Sequence, residues 1–588
     1  MIQIFNAEFA EGAEGIRRGC TSFEKASSTK PDLNLRTLIP SFLVTGIALL
    51  GGRRNRPQSE TEAEWGSEVK RDRDMGLIGL YHDGLSNSQK EIDDRTWQDL
   101  DMDGLFAKID RTAGMPGRQV LYHQMRTYEE DDVVLTERAR QQKIFREDAA
   151  MRRAVTSLLA RLKKPGATWI APLLLNPLPT VPRYAWLFYL SSLLSLLGLV
   201  GMPFFPPLIL SSLVLFFVNL YINFTYGARI APHFGGFAQI DSLLSIGQKL
   251  AKISDPHQLP QLAYLRTNAP VIAVLRKRFG WLVNDRSSLG DIGQAIMEYL
   301  NIFFLVDILT FLRSLKGLRE HRETLVRIFA EVGSLDASIS VASYVAGTSG
   351  ISVPVLVDNR RLEVAGLCHP LIPSPVGNPL VLTGRSALVS GSNMSGKTTF
   401  IRTVGINLLL ARTLAICHAE SAIFPRVIVR SAIRREDSLS DGESYFFAEL
   451  KQIQDFVEVA TGEVPHLFLI DEIFRGTNTI ERISASVAVL RHLARRQMVL
   501  VTTHDLELQE LLADGFDMYH FSERFADGKC LFDYRIHPGP ARSRNALKLM
   551  GYSGYPGAII KEAEILAEKL TARFQLGNTD FPQPDQSR

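Results

Sequence analysis

The stretch Ser386 to Thr399, SALVSGSNMSGKTT, restricts what this chain can fold into more than any other. An apolar run (Ala387, Leu388, Val389) enters a loop, and a segment with helical spacing, TFIRTVGINLLLARTLA, leaves it. Within it, Gly391-Ser392-Asn393-Met394-Ser395-Gly396-Lys397-Thr398 fits the pattern G-x-x-x-x-G-K-[ST] without deviation. Gly391 and Gly396 allow the tight turn that aims backbone N–H groups and a helix N-terminus at phosphate oxygens. Lys397 is then spaced to reach the β- and γ-phosphates, and the Thr398 hydroxyl to ligate Mg²⁺. The expectation is a nucleotide site made by Gly391 through Thr399, on a strand–loop–helix unit of an α/β fold.

Three further segments complete such a site. Leu467-Phe-Leu-Ile-Asp471-Glu472 reads as an apolar strand ending in two carboxylates. Asp471 is expected to join the Mg²⁺ shell and Glu472 to polarise an attacking water. Met498-Val-Leu-Val-Thr-Thr-His504 reads as a second parallel strand, with His504 at its end to sense a γ-phosphate. Ser440-Asp-Gly-Glu-Ser444 precedes the helical segment YFFAELKQIQDFVEVA. Ser444 there reads either as an N-cap or as a group facing a nucleotide held by a second subunit.

The rest of the chain is organised differently. At 588 residues it exceeds the roughly 250–300 residues over which one core grows. A net charge of +3 neither demands nor excludes nucleic acid. Cys20, Cys368, Cys417 and Cys530 lie far apart, which excludes a C-x-x-C zinc site and suits a reducing compartment. Between Arg183 and Arg229 no residue is charged. Tyr184–Met202 and Leu208–Tyr226 are each long enough to cross ~30 Å of hydrocarbon, and Met202-Pro-Phe-Phe-Pro-Pro207 between them reads as the turn of a hairpin. Arg152, Arg153, Arg161, Lys163, Lys164, Arg183 and Arg229 flank it and place that side in the cytoplasm. A shorter uncharged run, Thr37–Gly52, falls below the ~20 residues of a spanning helix and contains Pro40 and Gly46, so insertion and burial both stay open. Met297 to Val332 reads as a long amphipathic helical segment whose Phe/Leu stripe is packing core.

These residues, in this order, resemble the MutS family of DNA mismatch-recognition ATPases, over about Asp99 to Leu570. GSNMSGKTTFIRTVGINLLLARTLAICHAESAIFP is similar to the family's phosphate loop and following helix, DEIFRGTNT to its second acidic motif, LSDGESYFFAEL to its signature loop, and TTHD (Thr502–Asp505) to its histidine switch. LEVAGLCHPL (Leu362–Leu371, with His369-Pro370) and DGLFAKIDRTAGMPGRQVL (Asp103–Leu121) resemble the segment before the loop and the start of the helical core. NALKLMGYSGYPGAIIKEAEIL resembles the closing helices. The resemblance implies ATP and Mg²⁺ as cofactors, Tyr534 against adenine, and two ATPase domains paired head to tail with Ser444 acting across the dimer. It also shows departures. Phe9-Ala10-Glu11 has the letters of the family's mismatch-probing pair, but no room exists for that domain before Asp99, and the connector and carboxy-terminal nuclease domains are not seen. Phe474 and Arg482 stand where the family usually has a small residue and a glycine.

The expected fold is α/β: a P-loop ABC-type ATPase domain at the C-terminus, preceded by an all-α core and lever domain carrying a transmembrane helical hairpin. The expected divisions are an N-terminal region and charged linker over 1–96, the helical domain over 97–350 with the hairpin at 184–226, the ATPase domain with closing helices over 351–574, and a polar tail over 575–588. The implied function is ATP hydrolysis by a homodimer anchored in the cytoplasmic membrane, with the ATPase facing the cytoplasm. DNA is the implied partner, with weak or no mismatch specificity. A scaffold that binds a protein and no DNA is the alternative, and scattered arginines (Arg152, Arg153, Arg161, Arg313, Arg319) do not decide between them. A transporter subunit fits poorly, because the hairpin carries no polar lining.

Overall fold

Aspartate caps and apolar spacing set the first helices of the computed structural model, which describes residues 65–85, 90–178, 180–279, 299–392, 394–433, 445–474, 478–526, 529–541, 550 and 555–576. The helices used below are α1 (Met75–Leu85), α2 (Met115–Arg126), α3 (Asp132–Glu147), α4 (Ala149–Leu159), α5 (Ala185–Gly201), α6 (Leu208–Ile222), α7 (Ala228–Leu250), α8 (Val306–Glu320), α9 (Arg322–Ala346), α10 (Lys397–Leu414), α11 (Tyr445–Ala460) and α12 (Thr479–Ala494). Asp131 caps α3 by accepting from Val133 N at 2.8 Å, and Asp148 caps α4 by accepting from Met151 N at 2.9 Å. α2 and α9 pack closely enough that a Cβ on Gly333 would lie 2.4 Å from Val120 Cγ2. Beside that contact the buried Asp336 of α9 accepts from Ala113 N and Gly114 N, both at 2.8 Å. Burial pushes its carboxyl up to about 7.

The C-terminal part is built on sheets. Its strands are β1 (Val355–Val357), β2 (Arg361–Leu367), β3 (Asn378–Thr383), β4 (Ser386–Ser390), β5 (Ser421–Pro425), β6 (Ile428–Ala432), β7 (His466–Asp471), β8 (Met498–Thr503), β9 (Phe516–Ala526) and β10 (Lys529–Pro538). Six form a sheet in the order β10-β9-β4-β8-β7-β6, parallel except for β10 at the edge. β4 and β8 are buried along their whole length, which is why they read as continuous apolar runs and not as alternating ones. A second, four-stranded sheet has the order β1-β5-β2-β3.

Helical part and sheets share a core. One apolar cluster joins Ile78, Leu105, Phe106, Leu121 and Tyr344 to Leu409, Leu414, Phe424 and Leu469. Polar bonds reinforce the junction: Tyr344 Oη lies 3.0 Å from His418 Nε2, and Gln142 Nε2 donates to Leu414 O at 2.7 Å.

The hairpin stands apart in its surface. α5 and α6 pair along Ser191, Ser195, Gly198, Ser212 and Asn219, and turn their large apolar side chains outward. Trp186 is 61% exposed, Leu213 52% and Phe204, in the turn, 88%. α6 runs on through a π-helical turn, Asn223–Gly227, into α7. The resulting Leu208–Gly227 helix has 20 residues and is long and apolar enough to cross a membrane; α5, with 17, is shorter than the span the sequence suggested. A second correction concerns Met297–Val332. Its described part is not one long segment: the helix breaks at Leu305, whose φ is +51°, and again at His321.

Candidate functional site

β4 delivers the chain to the loop between two parallel neighbours. Register pairs Thr503 of β8 with Ser390 of β4, and Thr502 of β8 with Asp471 of β7, so the residues that follow these strand ends converge. The loop then turns through Gly391 (φ +144°), Met394 (φ +69°) and Gly396 (φ +105°) before α10 begins at Lys397. A Cβ on Gly391 would lie 2.9 Å from Phe521 O, so this position takes no side chain without movement of β9. The N–H groups of the first turn of α10 have no partner within the helix, and the helix dipole adds positive potential there.

The predicted side chains meet at this point. Lys397 Nζ donates to Gly391 O at 2.8 Å and to Ser392 O at 2.9 Å, and lies 3.2 Å from His504 Nε2. Thr398 Oγ1 donates to Asp471 Oδ2 at 2.9 Å, while Thr502 Oγ1 donates to the other carboxylate oxygen. Glu472 Oε1 is 2.7 Å from His504 Nε2. Glu472 and Phe474 both have φ of +58°, left-handed backbone that non-glycine residues enter rarely and that collects at functional sites. Phe474 N donates to Glu449 Oε1 of α11 at 2.6 Å, which fixes that turn.

Of these groups Lys397, Thr398, Asp471 and Glu472 line one cavity of about 640 Å³, whose wall also includes His369, Ile372, Pro373, Pro375, Val376, Phe521 and Tyr534. Its chemistry fits a magnesium–nucleotide. Thr398 and Asp471 place two oxygen donors together, as a hard cation requires. Ser392 Oγ is buried with no hydrogen-bond partner among the described residues, an unsatisfied polar atom inside the loop itself. His369 is held neutral: burial first, then the Arg402 and Lys108 charges, push it down to about 4.

Residues 387–571 match the family model for MutS domain V. The DNA mismatch repair protein MutS of Thermus aquaticus is 30% identical over 266 residues, covering 44% of this chain and 31% of the relative. That of Leptospira interrogans (serogroup Icterohaemorrhagiae, serovar Lai) is 29% identical over 301 residues, 48% and 35% of the two chains. That of Lactobacillus acidophilus is 26% identical over 278 residues, 45% and 32%.

Over its C-terminal half, this chain belongs to the MutS family.

It spans about a third of the length of those relatives. Within this MutS-family half, the two positions that depart from the family pattern have local explanations. Arg482 at the start of α12 pairs with Asp505 at 2.7 Å, tying that helix to the residue after His504. Phe474 is buried at the sharp turn after Glu472. Asn393, Ser444 and the Arg475–Thr477 loop lie outside the described residues, as do Thr37–Gly52 and Phe9–Glu11. Sequence reading missed Asn378. Its Nδ2 donates to Tyr534 O at 3.0 Å and its Oδ1 accepts from Ile536 N at 2.9 Å, which holds Tyr534 (φ +53°) against the cavity. It also missed the bond from Thr502 to Asp471 and the proline-rich wall, because these come from strand neighbours and packing. Of the five arginines singled out beforehand, Arg152 stacks over the Trp65 ring at 3.9 Å and donates to Phe145 O, which gives it a structural place.

Proposed function

We propose that this chain is a membrane-anchored MutS-family ATPase that hydrolyses ATP as a homodimer and binds DNA with weak or no mismatch specificity. The observation that carries the ATPase part is the convergence of Lys397, the Thr398–Asp471 pair and Glu472 on one cavity, with His504 paired to Glu472 beside it. Phosphoryl transfer asks little covalent chemistry of a protein and much positioning. Lys397 exchanges its loop carbonyls for phosphate oxygens and holds their charge. Glu472 orients the attacking water, and His504, already paired with it, reports on the γ-phosphate. Thr398 and Asp471 would hold Mg²⁺, which when bound would neutralise charge on the transferring group. Ser444 acts from a second copy on the nucleotide of the first.

Support for DNA comes from the names of the relatives and from the shared core, through which closure of the ATPase part reaches the helices. Support for the membrane comes from the Leu208–Gly227 helix, of which only 11% is buried, and from the basic residues flanking the hairpin, which orient the ATPase toward the cytoplasm. The test is ATP turnover by detergent-solubilised protein, alone and with homoduplex, mismatched and branched DNA, at low and moderate salt. Basal turnover with DNA stimulation that survives moderate salt is expected. Turnover that no DNA alters would move the reading to an ATP-switched scaffold; stimulation lost with salt alone reports non-specific phosphate contacts.

A further inference from the structure

Asn219 of α6 is fully buried inside the hairpin, and its side chain serves a segment from far along the chain. Its Nδ2 donates to Phe303 O at 2.7 Å and to Ser195 Oγ at 3.0 Å, and its Oδ1 accepts from Ser191 Oγ at 2.5 Å. On α5, Ser192 Oγ donates to Phe304 O at 2.8 Å. Residues 299–304 are helical and end at Leu305, so Phe303 and Phe304 carry carbonyls that a helix end leaves without an intrahelical partner. Asn301 Oδ1 then accepts from Asp307 N at 2.8 Å and starts α8 in its new direction. The two carbonyls at this break, those of Phe303 and Phe304, take their partners from the hairpin.

The position of the break within the hairpin matters. At 1.5 Å per residue, Ser192 and Asn219 both lie roughly 15 Å from the Met202–Pro207 turn. That is about half of a ~30 Å hydrocarbon layer. The outward surface at this level stays apolar: Tyr299 is 67% exposed, Leu300 40% and Val306 39%, while Phe303 packs inward on Phe216 with ring centroids 5.4 Å apart. Broken backbone at membrane depth is tolerated only where protein surrounds it and satisfies its polar groups. Asp307, the only charged residue between Tyr299 and Leu312, sits in the first turn of α8, where the helix dipole favours a carboxylate.

We infer that residues 299–306 are a re-entrant segment, entering the bilayer beside the hairpin and turning back at Leu305 with acyl chains against Tyr299, Leu300 and Val306. The inference rests on the membrane reading of the hairpin proposed above. It makes α8 the strut that leaves the membrane and leads into α9, whose far end carries the Tyr344–His418 contact with the ATPase part. The membrane anchor is then joined to the ATPase by two routes, the hairpin's own ends and this strut.

The test uses full-length protein with its four cysteines replaced, in phosphatidylcholine/phosphatidylglycerol vesicles, carrying one nitroxide at a time. The sites are Leu213→Cys in the hairpin, Leu300→Cys and Val306→Cys in the segment, and Lys316→Cys on α8. The readout is the collision rate with oxygen, which partitions into lipid, relative to a water-soluble nickel chelate. We expect the ratio at 300 and 306 to match that at 213 and to exceed that at 316 by roughly tenfold. A ratio at 300 and 306 equal to that at 316, with 213 still lipid-like, overturns the re-entrant segment and leaves the anchored hairpin intact. A water-like ratio at 213 overturns the membrane reading itself. Adding Asn219→Leu should broaden the motional freedom of the label at 300 and leave 213 unchanged; no change at 300 would show that the hairpin does not hold the segment.

Discussion

β8 and α6 are both apolar along their length, and they differ in what covers them. Met498 to Val501 are at most 1% exposed, enclosed by β4, β7 and the helices on either face. α6 buries Ser212 and Asn219 and leaves Leu213, Val214 and Phe217 more than half exposed. Burying a large aliphatic side chain is worth about 1.5–3 kcal/mol, so a stretch like α6 cannot be neutral toward water. The strand finds its partner within the chain, and the hairpin points its apolar side chains where the chain offers none. The polar residues invert accordingly. In β8 they gather at the end, where Thr502 and His504 meet the site; in the hairpin they turn inward, where Asn219 and the serines satisfy one another.

The largest effect expected anywhere in the molecule is at the strand end. Glu472→Gln keeps the shape of the carboxylate and removes its charge, and should lower ATP turnover by about 10²–10⁴-fold, the range for a positioned acid–base group. Nucleotide binding, measured by equilibrium dialysis, should stay within a few fold. Turnover equal to that of the unaltered protein would remove Glu472 from the mechanism.

The motif residues were legible because their chemistry is local. A phosphate loop needs its glycines, lysine and threonine in fixed succession, and Asp471, Glu472 and His504 each end an apolar run that can only be a buried strand. What the runs do not carry is their order in the sheet. β4 sits between β8 and β9, two strands from much later in the chain, and only that order brings Thr502 to Asp471 and Phe521 to Gly391. The break at Leu305 was invisible for a related reason. No glycine or proline marks it, and the groups that make it tolerable, Ser192 and Asn219, lie about a hundred residues earlier. Helix content and the two halves of the fold could be read; the joints between distant segments could not.

A paired truncation sharpens the contrast between strand and hairpin. Leu500→Ala leaves a cavity between layers and should destabilise the sheet part by about 2–5 kcal/mol. Leu213→Ala, on the outward face of α6, should change chemical stability in detergent by about 0.5 kcal/mol or less. Denaturant midpoints followed by intrinsic fluorescence give both numbers. Similar losses at the two sites would mean that α6 is covered by protein after all.

A third test concerns acid, to which both sides of the junction should respond alike. On the helical side, His82 and His123 face one another with Nδ1 atoms 3.1 Å apart, and both are pushed down to about 4. Burial is the main cause in each; the Arg126 charge adds to it at His82, and His82 itself adds to it at His123. Because the unfolded chain takes up these protons near pH 6.5 and the folded one only near 4, the histidines' contribution to stability should be level above 6.5 and fall as pH drops from 6.5 to 4, opposed in part by Asp336, whose raised carboxyl costs stability as pH climbs toward 7. His369 and His418, at the sheet side of the junction, are pushed down to about 4 as well and act in the same direction. A thermal-melt series across that window should show the decline, and His123→Gln should flatten it in part. A melting temperature that rises toward pH 4 would reverse the sign and exclude the neutral pair.

The smallest effect expected at the site itself tests the wall opposite the phosphate loop. Tyr534 is half exposed, holds a left-handed backbone angle, and is kept there by Asn378. An aromatic face in that place adds about 0.5–1.5 kcal/mol of contact with a purine beyond the area it covers. Tyr534→Ala should therefore weaken ATP binding by about two- to tenfold, and Tyr534→Phe should restore it, since the ring and not the hydroxyl makes the contact. Asn378→Ala should resemble Tyr534→Ala although it removes nothing from the cavity wall but an amide, because without it the Tyr534 carbonyl and the Ile536 N–H lose their partner. If Asn378→Ala leaves affinity untouched while Tyr534→Ala lowers it, the ring is held by the strand alone. If neither changes it, the base lies elsewhere, and only the phosphate side of this cavity belongs to the nucleotide.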